Sequence, residues 1–210
     1  DSMKNDYTGG GTKISIPPTL LFSVIGRIED VRKAVTMDVK KPGDLVYVLG
    51  ETFPELGGSE WFAQNGFIGN QVPVVNAVKA KKLYGALGAA ITADLVASCH
   101  DCSDGGLGVA LAETAFAGGL GLSVDLARVP CAGIYRDDYL LFSESQSRFV
   151  VTVSPANRDR FEEVLKGNAF ACIGLVLEGS DFRVNGIRGN RIIEDDTRVL
   201  KEIWQKPLKF

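Results

Sequence analysis

The stretch that decides the fold reads Leu95-Val96-Ala97-Ser98-Cys99-His100-Asp101-Cys102-Ser103-Asp104-Gly105-Gly106-Leu107, followed at once by an alanine-rich apolar run. Leu95 to Cys99 has the apolar character of a short buried strand, and Leu107 to Phe116 that of a helix closed by Gly118-Gly119. Between them lie two carboxylates, a hydroxyl and a glycine pair, so the element is strand, acidic turn, helix. The first N–H groups of a helix lack backbone partners and carry partial positive charge, which suits an anion. A carboxylate just ahead of them supplies the hard oxygen that magnesium prefers, and magnesium binds phosphate in turn. A second reading needs no ligand: Ser103 or Asp104 caps the helix, and Gly105 and Gly106 let it pack closely. The local pattern leaves both open.

The surrounding composition limits the ligand and the setting. The chain has 210 residues, 45% hydrophobic and 23% charged, enough to bury a substantial core. Its formal net charge of -3 advertises no nucleic-acid surface, so any phosphate must be held locally by backbone N–H groups, magnesium and a few cations. Of the four cysteines, Cys99 and Cys102 form a C-x-x-C pair. The second half of a zinc site is missing, because Cys131 and Cys172 are isolated and the only histidine, His100, lies inside the pair. Reduced, mostly buried thiols in a cytoplasmic protein account for them better. The apolar runs are too short or too interrupted to cross a bilayer, so no membrane partner is expected.

Outward from the acidic turn, the chain divides near residue 40. It opens on polar residues without an initiator methionine, which reads as a piece of something longer. Leu20 to Ile28 is β-rich and reads as a buried strand entered through Pro17-Pro18. Lys40-Lys41-Pro42-Gly43-Asp44 signals a turn, followed by a strand over Leu45 to Gly50. Ser59 is placed to cap a short helix, and Gly57-Gly58-Ser59 is a second helix start at which a phosphate could sit. Val74 to Leu87 has helical spacing, with Lys79, Lys81 and Lys82 largely on the solvated side. Further on come a strand over Leu120 to Leu126, a short helix or turn over Asp137 to Phe142, and a strand over Arg148 to Val153. A helix then runs from Ser154-Pro155 to Leu165, followed by strands over Ala171 to Leu177 and Phe182 to Val184. A hairpin turn at Asn185-Gly186 leads to Arg191 to Ile193, and Thr197 to Trp204 forms a closing amphipathic helix. Glu144 and Arg148 are placed to form a buried pair. Strands and helices do not alternate strictly, and neither a G-x-G-x-x-G nor a G-x-x-x-x-G-K-[ST] element is present. The expectation is an α+β domain, a mixed sheet covered by helices.

A wider set of segments carries a family resemblance. Asp1-Ser2-Met3, Ile16-Pro17-Pro18-Thr19-Leu20, Gly43-Asp44 with Leu45 to Gly50, and Leu56-Gly57-Gly58-Ser59-Glu60 match in order. They are followed by His100 to Gly106, Phe116-Ala117-Gly118, Leu141-Phe142-Ser143-Glu144 and Leu200-Lys201-Glu202-Ile203-Trp204. Together they resemble the C-terminal part of the synthetase component of the phosphoribosylformylglycinamidine synthase family. That family shares a superfamily with aminoimidazole ribonucleotide synthetase, thiamine-monophosphate kinase and selenophosphate synthetase. Its members pair a β-rich A domain with a layered α/β B domain.

The resemblance implies that residues 1–40 are the tail of an A-type domain and residues 41–210 a B-type domain. It implies an ATP-dependent ligase of purine biosynthesis, in which ATP activates the amide oxygen of formylglycinamide ribonucleotide and ammonia from glutamine displaces the phosphate. The implied cofactors are ATP and magnesium. The implied partners are the remaining A and B domains, a glutaminase domain or subunit, and the small-molecule substrate. By the same resemblance, Asp101 is the magnesium ligand, Ser103 touches the nucleotide, Gly105 and Gly106 admit close backbone approach, and Asp104 supports or caps. No catalytic residue is implied in this portion, and His100 is expected to be structural. Two alternatives remain: a non-catalytic nucleotide-binding or glutaminase-docking domain of the same enzyme, and a sister kinase or synthetase.

Overall fold

The computed structural model describes residues 2–3, 6–15, 19–20 and 22–208. By its contacts the chain divides into two units, Asp1–Ala34 and Val35–Phe210.

In the first unit, β1 (Ser2–Met3) pairs antiparallel with β4 (Thr19–Leu20), and β2 (Asp6–Gly9) pairs antiparallel with β3 (Thr12–Ser15). Gly10 and Gly11 close that hairpin at φ of 59° and 78°, a left-handed pair that glycine adopts without a steric penalty. The strand expected over Leu20 to Ile28 is not formed. Only Leu20 belongs to a strand, while Leu21 and the Pro17-Pro18 entry lie outside the described residues. Val24 and Ile25 are 92% and 99% exposed. β-Branched residues favour a strand only when a neighbouring strand takes up their backbone groups, and residues 22–28 are offered none among the described residues.

In the second unit, alternation along the central strands sets the layers. In β5 (Leu45–Leu49), Val46 and Val48 join one apolar cluster while Tyr47 and Leu49 join another, and all four are buried. Such a strand needs helices on both sides. The short α1 (Glu60–Gln64) starts at Ser59, whose Oγ accepts from Phe62 N–H as expected for a cap. The long α2 (Ala77–Thr92) begins three residues later than its apolar pattern suggests, because Asn76 caps it by accepting from Lys79 N–H. β6 (Ser98–Asp101) leads into α3 (Gly106–Gly118), which ends at Gly119 with φ 69°. There follow β7 (Gly121–Asp125), α4 (Asp137–Phe142), β8 (Phe149–Val153), α5 (Arg158–Leu165), β9 (Phe170–Leu177), β10 (Asp181–Asn185), β11 (Arg191–Asp196) and α6 (Thr197–Gln205).

The seven strands run in the order β11-β10-β7-β9-β5-β8-β6. Only β10 and β7 pair parallel; the rest are antiparallel, so the sheet is mixed. One face packs against α3 and α4 through Leu107, Leu111, Leu140 and Leu141, with Leu200 of α6 joining partly buried. The other packs against α2 and α5 through Leu83, Leu87, Phe161 and Leu165. Each fully buried side chain of this size contributes roughly 1.5–3 kcal/mol over exposure. The layered α+β expectation therefore matches the architecture. No helix among the described residues is long and apolar enough to cross a membrane.

Candidate functional site

The acidic turn sits where β6, at one edge of the sheet, hands over to α3. Strand pairing starts later than the apolar run implies: Leu95 packs into the α2–α5 cluster, and the ladder with β8 begins at Ser98. Ser98 and Thr152 also share a buried hydroxyl–hydroxyl bond of 2.5 Å. Asp101 is thus the last strand residue. Its side chain is 63% exposed, and its Oδ2 accepts from Ser103 Oγ at 2.5 Å. That hydroxyl, helped by His100, holds the Asp101 carboxyl below the usual carboxylate range against a smaller opposing effect of burial. The group is therefore ionised at neutral pH.

Neither Ser103 nor Asp104 caps α3. The N-cap is Gly105, at φ 76°, with no side-chain cap of its own. The cap comes from 39 residues away: Glu144 Oε1 accepts from Gly105 N–H at 2.9 Å. The same oxygen accepts from Glu60 N–H at 2.9 Å, so one carboxylate serves the starts of both α1 and α3. Gly106 has φ 64°, and a Cβ there would lie 2.5 Å from the Ser143 carbonyl oxygen. Its close approach is to the backbone that carries Glu144.

The expected Glu144–Arg148 ion pair is not formed. Arg148 is 1% exposed and spends its guanidinium on the carbonyls of Ser143 and Ser145 (Nε to Ser145 at 2.9 Å) and on Thr52 Oγ1 at 3.0 Å. These neutral acceptors satisfy the fork geometry, and burial pulls the guanidinium below its ordinary range. His100 lies between two carboxylates, with Nε2 2.9 Å from Glu113 Oε2 and Nδ1 3.5 Å from Asp101 Oδ1. The C-x-x-C pair holds free thiols. Burial pushes Cys102 up to about 11 and Cys99 up to about 12, which makes both poor nucleophiles.

A cavity of about 410 Å³ brings together residues that the sequence kept apart. Ser103 and Asp104 face Gly57 and Gly58, with Glu144 and Gln146 also in the wall. Asp101 is bonded to one lining residue, Ser103, without lining the cavity; Gly105 and Gly106 do not line it either. Gly57 and Gly58 are not a free phosphate cradle, because their N–H groups donate to the carbonyls of Gln71 and Ile68 at 2.8 and 2.7 Å. The wall holds two carboxylates and, among the described residues, no lysine or arginine. A phosphate would be repelled there unless a cation stood between.

The donor set fits magnesium in one manner only. No group of three acidic, histidine or cysteine side chains is placed to cage a metal among the described residues. Magnesium does not require such a cage; one or two carboxylates, with phosphates and water completing the octahedron, suffice. The exposed, ionised Asp101 meets that need. A larger neighbouring cavity of about 550 Å³ shares Val75 and Gln146 with the first and includes Lys79 and Lys82. Lys79 pairs with Glu51 at 3.1 Å, and Lys82 donates to the Gly167 carbonyl at 2.5 Å. Sequence reasoning singled out Glu144 for a pair with Arg148 and as part of the Leu141-Phe142-Ser143-Glu144 segment, and missed its bonds to the N–H groups of Gly105 and Glu60.

The chain is similar to the phosphoribosylformylglycinamidine synthase subunit PurL of Alkaliphilus metalliredigens, 40% identical over 200 residues, covering 94% of this chain and 26% of that protein. It is also similar to the same subunit of Moorella thermoacetica, 39% identical over 214 residues, covering 98% of this chain and 28% of that protein. The chain thus spans little more than a quarter of these relatives. Among solved structures, T. maritima PurL complexed with FGAR overlays with a TM-score of 0.71 at 25% identity, covering 81% of this chain and 30% of that one. T. maritima PurL complexed with ATP overlays with a TM-score of 0.66 at 25% identity, covering 81% and 27%. Residues 41–187 match the family described as "AIR synthase related protein, C-terminal domain", and since this match takes in most of the chain, the protein belongs to that family.

Proposed function

We propose that this chain is the C-terminal portion of the synthetase component of a phosphoribosylformylglycinamidine synthase, and that its acidic turn holds a magnesium nucleotide. The observation that carries the proposal is the cap on α3. Glu144 holds the N–H of the N-cap Gly105, and neither Ser103 nor Asp104 spends its side chain on the helix, so Ser103 and Asp101 remain at the surface, bonded to each other. A serine and an aspartate left unused by the backbone at a helix start are available to a ligand.

In this reading Asp101 is the metal ligand and Ser103 orients it while touching the nucleotide. Gly105 and Gly106 keep the turn's backbone tight. Magnesium, when bound, supplies the positive charge that lets phosphate oxygens approach a carboxylate-lined wall. The reaction of the whole enzyme converts formylglycinamide ribonucleotide, ATP and glutamine-derived ammonia into the amidine, ADP and phosphate. The remaining A and B domains, a glutaminase domain or subunit and the ribonucleotide substrate are then its partners, in the cytoplasm. The similarity to PurL proteins captured with ATP, with FGAR and in the assembly PurLQS supports these assignments.

One observation favours a structural role for the nucleotide. His100, the only histidine, is locked between Glu113 and Asp101, so this portion offers no free imidazole for proton transfer. The test is Asp101→Asn in the intact enzyme, with turnover, melting temperature and bound nucleotide measured together. Loss of turnover at an unchanged melting temperature supports direct participation. A lower melting temperature with loss of co-purifying nucleotide supports a nucleotide that braces the fold. Unchanged affinity for magnesium ADP overturns both.

A further inference from the structure

We infer that Glu144 is a positioning residue for the nucleotide turn, held in place by the buried Arg148. The inference rests on the proposed magnesium–nucleotide role of Asp101 and Ser103. The turn between β6 and α3 must hold its shape without a local side-chain cap, since Gly105 has none. Glu144 supplies that restraint through Gly105 N–H and shares it with Glu60 N–H, each at 2.9 Å. Glu144 is itself bracketed. Ser143 and Ser145, on either side of it, give their carbonyls to Arg148, and the Arg148 carbonyl accepts from Cys102 N–H at 3.0 Å. Arg148 therefore grips both the segment that carries the cap and the residue that starts the turn. Loss of Glu144 leaves the N–H groups of Glu60 and Gly105 without that acceptor and lets residues 102–105 relax, which moves Ser103 off Asp101. Arg148 lines neither cavity, and it reaches the turn by two routes, the segment that carries Glu144 and the N–H of Cys102.

The experiment is calorimetric titration of magnesium ADP into the full-length protein and its variants Glu144→Ala, Glu144→Gln, Asp101→Asn and the Asp101→Asn/Glu144→Ala double mutant. Groups that orient a metal ligand typically change affinity by about 10- to 100-fold. Glu144→Ala is expected to weaken binding by about tenfold or more, and Glu144→Gln, which keeps an oxygen acceptor, to recover most of that loss. On the Asp101→Asn background the Glu144→Ala change should add less than about twofold, because both act through one carboxylate. A merely structural cap predicts the opposite: a lower melting temperature, unchanged affinity in the folded protein and independent effects of the two changes. That pattern overturns the inference. If Glu144→Ala does not fold, Glu144→Asp, too short to reach both N–H groups, takes its place with the same expectations. If Asp101→Asn alone leaves affinity unchanged, the functional reading of the site fails and the inference falls with it. If Asp101→Asn weakens binding while Glu144→Ala does not, only the positioning inference fails.

Discussion

The indole Nε1 of Trp204 donates to Oε1 of Glu113 at 3.0 Å, while the other oxygen of the same carboxylate lies 2.9 Å from His100 Nε2. One side chain on α3 thereby ties the closing helix α6 to the strand that ends in Asp101. The Trp204 ring also meets Phe116 with centroids 5.6 Å apart. Trp204→Phe keeps the ring contact and removes the N–H. It should lower stability by about 1 kcal/mol, read by calorimetry as a fall of roughly 2–4 °C in Tm. Glu113→Ala should cost more, since it also strips His100 of its partner. Equal melting temperatures for Trp204→Phe and the wild type would show that water replaces the bond without loss.

Acid sensitivity on the opposite face of the sheet should trace to Tyr47. Its hydroxyl donates to Glu162 Oε1 at 2.7 Å, and that bond, more than Arg158, holds Glu162 below its usual value. A carboxylate depressed in the folded state stabilises above its unfolded pKa of about 4.3 and loses that contribution as pH falls through the folded value. The stability difference between wild type and Tyr47→Phe should therefore be largest near pH 6 and shrink towards pH 3. Urea unfolding at the two pH values measures it, and a constant difference would show that the hydroxyl contributes equally whether or not Glu162 is ionised.

The thiols should separate cleanly under alkylation. Cys131 is exposed, though partial burial and the nearby Glu51 raise its thiol too, whereas burial raises Cys99 and Cys102 to about 12 and about 11. Iodoacetamide at pH 8 should label Cys131 in the native protein and reach Cys99 and Cys102 only after unfolding. Mass spectrometry of peptides labelled in the native state decides this; early modification of the C-x-x-C pair would mark it as reactive after all.

Gly106→Ala probes the backbone contact beneath the cap. The added methyl meets Ser143 O at 2.5 Å and Leu141 O at 2.9 Å, at a φ of 64° that alanine rarely adopts. A loss of roughly 1–3 kcal/mol in chemical denaturation is expected. A neutral result would mean that the 141–143 backbone yields freely.

What the sequence disclosed follows the range of the interactions involved. Asp137 to Phe142 was legible as a short helix or turn and proves to be a helix, and the start of α6 near Thr197 was legible, because such signals act within a few residues. Of the expected site residues Asp101, Ser103, Gly105 and Gly106, Ser103 alone lines the cavity, beside Asp104, for which a supporting or capping role was expected. The freedom of Ser103 and Asp104 from capping was not legible, because Glu144 lies 39 residues from Gly105 and nothing local announces the pairing. Arg148 invited pairing with its acidic neighbour, yet three neutral acceptors in a buried pocket suit its fork better. The segment from Leu20 to Ile28 misled because β-branched content speaks only to propensity, and pairing needs a second strand.

The position of β5 in the middle of the sheet has a consequence for biosynthesis. Its register sets Leu49 against Phe149, and its other neighbour, β9, is later still. A ribosome adds about 5–20 residues each second, so this apolar strand emerges roughly 5–20 s before its first partner is even made. Through that interval Val46, Tyr47, Val48 and Leu49 have no sheet to join, which makes the nascent chain a natural client for chaperones that shield hydrophobic segments.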